Sequence, residues 1–170
     1  MIIAEIGLNH LGKHSEAVDY LDNLFDSDVD GIEFQVRDDS FYLRPEKKDL
    51  KLNEDEYIKI SNLIKKEDRS FGIALTDITK IDFFESIETD FYKVIINDIK
   101  NKSLVESLCK TGKKVLISTG LSSDEDIQNL VEQVSDYDNV VLNHTQLSNE
   151  PSDSNLKAIE IMRNKYNMPV

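Results

Sequence analysis

Ile2-Ile3-Ala4-Glu5-Ile6-Gly7-Leu8-Asn9-His10-Leu11-Gly12 is the stretch from which the fold is read. Ile2–Leu8 is a short apolar run, the pattern of a buried strand. It holds one carboxylate, Glu5, and burying an unpaired carboxylate is costly. Glu5 therefore calls for a partner or a purpose. A glycine, an Asn9-His10 pair and a second glycine follow, and then a helical pattern, His14–Val29, with Ala17, Val18, Leu21, Leu24 and Phe25 on one face. A strand running through a polar, glycine-containing loop into a helix is where α/β folds place their chemistry.

The same unit recurs along the chain. Strands are expected at Ile2–Leu8, Gly31–Val36, Phe71–Thr76, Phe91–Asn97, Lys114–Thr119 and Val140–Thr145. Helices are expected at His14–Val29, Asn53–Ile64, Ile78–Ile87, Ser103–Lys110, Ser122–Val134 and Ser154–Tyr166. Asn53 with Glu56, and Ser122 with Glu125, read as capping boxes. Alternation of this kind specifies a parallel sheet covered by helices. Two architectures compete, an open doubly wound sheet and a (β/α)8 barrel. A barrel needs eight units and typically about 250 residues, and this chain has 170 residues. Six units, with Met168-Pro169-Val170 as the first residues of a seventh strand, fit either an open sheet or a barrel that has lost its last quarter. The one long connection, Arg37–Leu52, is of a length often reserved for function.

Composition narrows the partners. The chain has 33 acidic and 20 basic residues, a formal net charge of −13. That argues against nucleic acid or an anionic membrane as the main partner, since both need basic patches. The single cysteine, Cys109, permits no internal disulfide and reads as a small buried hydrophobe. No segment is long and apolar enough to span a membrane, and the N-terminus lacks a signal-peptide layout. The expected setting is the cytoplasm.

Nearly every strand ends in polar residues. The first delivers Glu5, Asn9 and His10, the second Gln35, and the third Thr76-Asp77. The fourth holds Lys93 and ends in Asn97-Asp98, the fifth ends Ser118-Thr119-Gly120, and the sixth carries Asn143, His144, Thr145 and Gln146. In a parallel sheet these ends share one edge, so together they outline a site there. A lysine within an apolar strand pairs with a carboxylate, binds an anion or forms a Schiff base. Hydroxyls and free N–H groups at Ser118-Thr119-Gly120, ahead of a capped helix, suit a phosphate or carboxylate. His144 reads as a satisfied strand histidine. No second ligand stands at short spacing from His10, so a local metal motif is missing.

Glu5-Ile6-Gly7-Leu8-Asn9-His10-Leu11-Gly12 resembles the E-I-G-x-N-H-x-G signature of the N-acetylneuraminate (sialic acid) synthases. Thr111-Gly112-Lys113-Lys114-Val115-Leu116-Ile117-Ser118-Thr119-Gly120 is similar to that family's T-G-K-P-V-I-L-S-T-G segment. Phe34-Gln35, Tyr92-Lys93 and Asn155-Leu156-Lys157-Ala158-Ile159 follow in the family's order. The resemblance implies a TIM-type (β/α)8 barrel, incomplete over residues 1–170, with the family's C-terminal antifreeze-like domain absent from this sequence. It implies condensation of phosphoenolpyruvate with an N-acetylated amino sugar of the N-acetylmannosamine type, with release of phosphate. It assigns Glu5 as the catalytic carboxylate, Thr76, Lys93 and Ser118 as phosphoenolpyruvate contacts, and Asp98 as a sugar contact. Asn9, His10, Gln35, Thr119 and Gln146 complete the candidate substrate-binding set. A divalent cation, manganese or magnesium, is implied as cofactor, and the two unpaired edges of an incomplete barrel call for a homo-oligomer or a longer native chain. Departures are specific. Glu33 stands where the family has a lysine, Val94-Ile95-Ile96-Asn97-Asp98 replaces I-G-S-G-E, and the histidine expected beyond the seventh strand has no counterpart. The alternative reading is a non-catalytic barrel that binds a small anion or a partner chain.

Overall fold

The computed structural model describes residues 1–148 and 150–170. The chain forms two compact units, Met1–Tyr92 and Lys93–Val170.

The first unit runs β1 (Ile3–Gly7), α1 (His14–Phe25), β2 (Gly31–Val36), α2 (Asp39–Tyr42), α3 (Glu54–Lys66), β3 (Ser70–Leu75) and α4 (Ile81–Ser86), and ends within β4 (Phe91–Val94). β1, β2 and β3 pair in parallel in sequence order, with Glu5 opposite Glu33 and Glu33 opposite Gly72. Alternation along a strand sends successive side chains to opposite faces. Phe34 meets the α3 ring of Tyr57 edge-on at a centroid distance of 6.5 Å, so Ile32, Phe34 and Val36 face the helices. Ile60, Ile64, Ile73 and Leu75 are fully buried in the same apolar layer. Glu33 and Gln35 therefore face away from the helices, and register places Glu5 with them. On that second face, Gly72 makes room for Phe91, because a Cβ at residue 72 would lie 2.0 Å from the Phe91 ring.

α3 starts as the sequence predicts. Asn53 Oδ1 accepts from the Glu56 N–H at 3.0 Å, and Glu56 Oε2 accepts from the Asn53 N–H at 2.7 Å. The long connection is not irregular throughout. It holds α2, capped by Asp38, and a 3-10 turn at Lys48–Leu50. Neither is long enough to show a period in sequence.

The second unit continues through α5 (Lys102–Cys109), β5 (Lys114–Ser118), α6 (Asp124–Gln133), β6 (Val140–Asn143) and α7 (Lys157–Tyr166). β5 and β6 pair in parallel, Ser118 opposite Asn143. Val115, Ile117, Val140 and Leu142 are buried, while Leu116 and Val141, on the other face, are only half-buried. Beyond α7 the backbone turns alongside β6, and the Leu142 N–H donates to the Pro169 carbonyl at 2.9 Å. This is how a next strand would begin. β4 is shorter than its apolar run suggests, because Ile96–Asp98 winds into a 3-10 turn. The α6 capping box uses Ser123 and Asp126 rather than Ser122 and Glu125. The Ser122 N–H is already committed to the Thr119 carbonyl at 3.3 Å. Cys109 is buried, and burial pushes its thiol up to about 11, as befits a core residue rather than a nucleophile.

Candidate active site

The candidate residues divide between the units. Glu5, Asn9, His10, Gln35 and Thr76 belong to the first, and Lys93, Asp98, Ser118, Thr119 and Gln146 to the second.

In the first unit, the loop after β1 is wound from consecutive tight turns. The Asn9 N–H donates to Ile6 O, the Leu11 N–H to Leu8 O and the Lys13 N–H to His10 O, all at 2.9–3.0 Å. Gly12 takes φ +70°, and a Cβ there would sit 1.8 Å from the Asp49 carbonyl oxygen, so only glycine fits. The winding separates the Asn-His pair. Asn9 is exposed, whereas His10 is 0% exposed and its ring lies 5.9 Å from that of Phe34. His10 Nδ1 accepts from the Gly12 N–H at 3.0 Å, and Nε2 is buried without a hydrogen-bond partner among the described residues. Burial lowers its pKa to about 4, so the ring is neutral with its proton on Nε2. His10 is thus built into the core behind the loop.

Glu5 is exposed, contrary to the buried carboxylate that the apolar run suggests. A run of apolar residues shows neither which face the odd polar one occupies nor whether that face is covered. Glu33, its register partner, is 1% exposed and held by a neighbouring group. Gln35 is half-buried two residues further along the same face. Thr76 follows β3, its N–H donating to Val36 O at 3.1 Å and its Oγ1 accepting from the Asp38 N–H at 2.9 Å. That leaves the Thr76 hydroxyl proton to donate. Gln35 and Thr76 therefore share the ends of β2 and β3, Glu5 stands further back along the strands at the level of Glu33, and Asn9 follows β1 in the loop.

In the second unit, Lys93 is buried within β4 and engaged by a neighbouring group. Asp98 lies in the 3-10 turn after β4, half-buried and likewise engaged. Ser118 and Thr119 are buried at the end of β5. Thr119 donates both its N–H and its hydroxyl to the Asn143 carbonyl, at 3.0 and 3.1 Å, and Thr145 Oγ1 donates to the same oxygen at 3.0 Å. Gly120 is required because a Cβ would approach the Thr145 carbonyl to 2.7 Å. The Ser118 hydroxyl takes no part in this clamp. Gln146 is exposed and turned to the Asp153 carbonyl at 2.5 Å. His144 bonds the Ser154 carbonyl through Nε2 at 2.9 Å, a satisfied histidine as expected.

The donors of the implied cation do not assemble. Among the described residues no three His, Cys, Asp or Glu side chains group so as to hold a metal ion. His10 Nδ1 is taken by the Gly12 N–H and its Nε2 is sealed in the core, while His144 Nε2 is taken by the Ser154 carbonyl. The residues present do not fit the cation, and no step is assigned to it. No helix among the described residues is long and apolar enough to cross a membrane.

The fold is similar to that of TIM-barrel synthases. The structure superposes on the N-acetylneuraminic acid (sialic acid) synthetase of Leptospira borgpetersenii, solved with citrate, with a TM-score of 0.90 and 26% identity. The match covers 99% of this chain and 62% of that one. A truncated 3-deoxy-D-arabino-heptulosonate 7-phosphate synthase from Thermotoga maritima shares the fold at a TM-score of 0.73 and 13% identity, over 99% of this chain and 62% of that one. Six βα units of an unclosed barrel are present. The NeuB family model matches residues 16–170, and the chain belongs to the NeuB family. An N,N'-diacetyllegionaminic acid synthase of Legionella pneumophila is 26% identical over 99% of the chain, and an uncharacterized protein of Methanocaldococcus jannaschii is 28% identical over 99%. The chain spans about half the length of these two relatives, 55% and 53%.

Proposed function

We propose that this chain, a sialic-acid-synthase-like protein, carries the phosphoenolpyruvate-binding portion of a nonulosonic acid synthase. In the reaction proposed, C3 of phosphoenolpyruvate bonds to the aldehyde carbon of an open-chain N-acetylated amino sugar. Water adds at C2 and the C–O bond to phosphate breaks. The resemblance assigns Thr76 and Ser118 as hydroxyl donors to the phosphoenolpyruvate anion. Lys93 lies in the strand between them in sequence, and Glu5 serves as the carboxylate at the sugar. The observation that carries the reading is the end of β5, where Thr119 and Thr145 clamp the Asn143 carbonyl and the buried Ser118 hydroxyl stays outside that clamp.

The metal donors do not assemble, so the chain alone is expected to bind phosphoenolpyruvate with negligible turnover. Calorimetric titration with phosphoenolpyruvate tests the first half. Thr76→Val and Ser118→Ala should each weaken binding about tenfold or more, the worth of a hydrogen bond to a charged group. Absence of binding would sink the proposal in favour of a barrel that has lost its ligand. Metal-dependent phosphate release from phosphoenolpyruvate with N-acetylmannosamine would overturn the second half.

A further inference from the structure

The first unit contains a second concavity, on the opposite side of the sheet from Glu5, Glu33 and Gln35. It has a volume of about 470 Å³ and opens among the end of β2, α2, the first turn of α3 and α4. That size lies within the range typical of small-molecule sites. Val36, whose side chain faces the helices, forms part of its floor.

Four aromatic rings line it, Tyr42, Tyr57, Phe83 and Phe84. Tyr57 and Phe84 are buried, and their rings meet edge-on at 5.3 Å. Two of the four carry hydroxyls, and their situations differ. The Tyr42 hydroxyl accepts from the Arg37 N–H at 3.2 Å. Tyr57 is only 4% exposed, yet its hydroxyl has no hydrogen-bond partner among the described residues. Nor is that oxygen among the sealed, unpartnered polar atoms. The space it meets is therefore the cavity. A buried hydroxyl left unbonded is costly, and a tyrosine in the core normally finds a partner. Burial raises the Tyr57 pKa, so the group enters any contact as a neutral O–H.

Charge at the mouth decides what can enter. Lys80 Nζ is paired with Glu54 at 2.9 Å, and Lys51 Nζ with Asp39 at 2.5 Å. Glu54, Asp55, Lys51 and Lys80 all line the opening, two charges of each sign. Both lining lysines are spent in pairs, so an anion entering would have to displace one, and Asp55, the lining charge without an ion pair among the described residues, is exposed to water, where a carboxylate attracts a cation only weakly. The α3 N-terminus is no anion site either, since Asn53 caps it and Glu54, Asp55 and Glu56 fill its first turn.

We infer that this cavity is a binding site for a small uncharged aromatic molecule bearing a carbonyl or comparable acceptor, which takes the Tyr57 hydroxyl as its hydrogen-bond donor. The four rings supply the apolar walls, and the compensated mouth selects against charged analogues. The site is independent of the strand-end residues, and its success or failure leaves the proposed phosphoenolpyruvate site untouched.

Four probes of nearly one shape separate the terms: benzamide, benzoate, benzamidine and toluene. Methyl resonances of Val36 and Leu52, both lining the cavity, report occupancy. Benzamide should shift them saturably in the millimolar range, with benzoate and benzamidine at least several-fold weaker. Tyr57→Phe keeps the ring and should weaken benzamide by about fivefold to tenfold while leaving toluene unchanged. Its thermal midpoint, measured alongside, confirms that the fold is kept. Benzamide binding no tighter than toluene, equal binding to Tyr57→Phe, or preference for either ion would overturn the inference. So would the absence of any methyl shift.

Discussion

At the scale of single residues, His10 has the clearest energetic consequence. Its pKa falls from 6.5 to about 4 on folding because the ring is taken out of water. The unfolded chain binds the proton more readily, so this contribution to stability is complete above pH 6.5 and is lost as pH falls toward 4. About 2.5 units correspond to ~3 kcal/mol. Urea unfolding at pH 7 and at pH 4.5 should show this loss in the wild-type chain. His10→Asn replaces the Nδ1 acceptor with an oxygen and removes the titration, so its pH dependence should be flatter by about 2–3 kcal/mol. Equal slopes would refute the assignment. The sequence marks His10 as a member of a polar loop, and only the structure shows it turned into the core. The reason is the positive φ of Leu11 and Gly12, +51° and +70°, which reverses the chain within two residues. Glu5 is the opposite case, legible as significant but misplaced in depth, because alternation fixes a face without fixing what covers it.

At the scale of elements, the strands and main helices were readable because each buries a face at its own period. α2 and the Lys48–Leu50 turn were not, since three or four residues carry no period. Their positions are set by caps such as Asp38 Oδ1 accepting from the Phe41 N–H at 3.1 Å. The choice of Ser123 over Ser122 at α6 was equally out of reach, because it depends on where the Ser122 N–H goes. The α3 box was readable, and Asn53→Ala should cost about 1 kcal/mol in equilibrium unfolding with an unchanged m value. Gly72→Ala should cost more, about 2–3 kcal/mol, because the Phe91 ring occupies the space and core overpacking strains both strands. A cost below that of an ordinary exposed glycine-to-alanine change would contradict the packing described. A glycine inside an apolar strand announces a close approach, but not which ring makes it.

At the scale of the whole molecule, the missing barrel units leave a readable imprint. Within the first unit, among the described residues, β1 pairs only with β2, and Ile3 and Ala4 are half-buried although the strand is apolar. Within the second, Leu116 and Val141 are half-buried while Ile117 and Leu142 beside them are fully buried. An unpaired strand with an incompletely covered apolar face is a template for another chain. Opposing this is the net charge of −13 on each copy, which repels at long range and is screened by salt, with a Debye length of about 8 Å at physiological ionic strength. The two effects make a joint prediction for the isolated chain. Sedimentation velocity should show self-association that grows with protein concentration and with added sodium chloride. Ile3→Lys places a charge on the β1 edge and should suppress that association, whereas Ile58→Lys, on an exposed position of α3, should not. A chain that stays monomeric at every salt concentration would mean the edge is already protected. Association that falls with salt would mean that opposite charges, rather than the open strand, drive it.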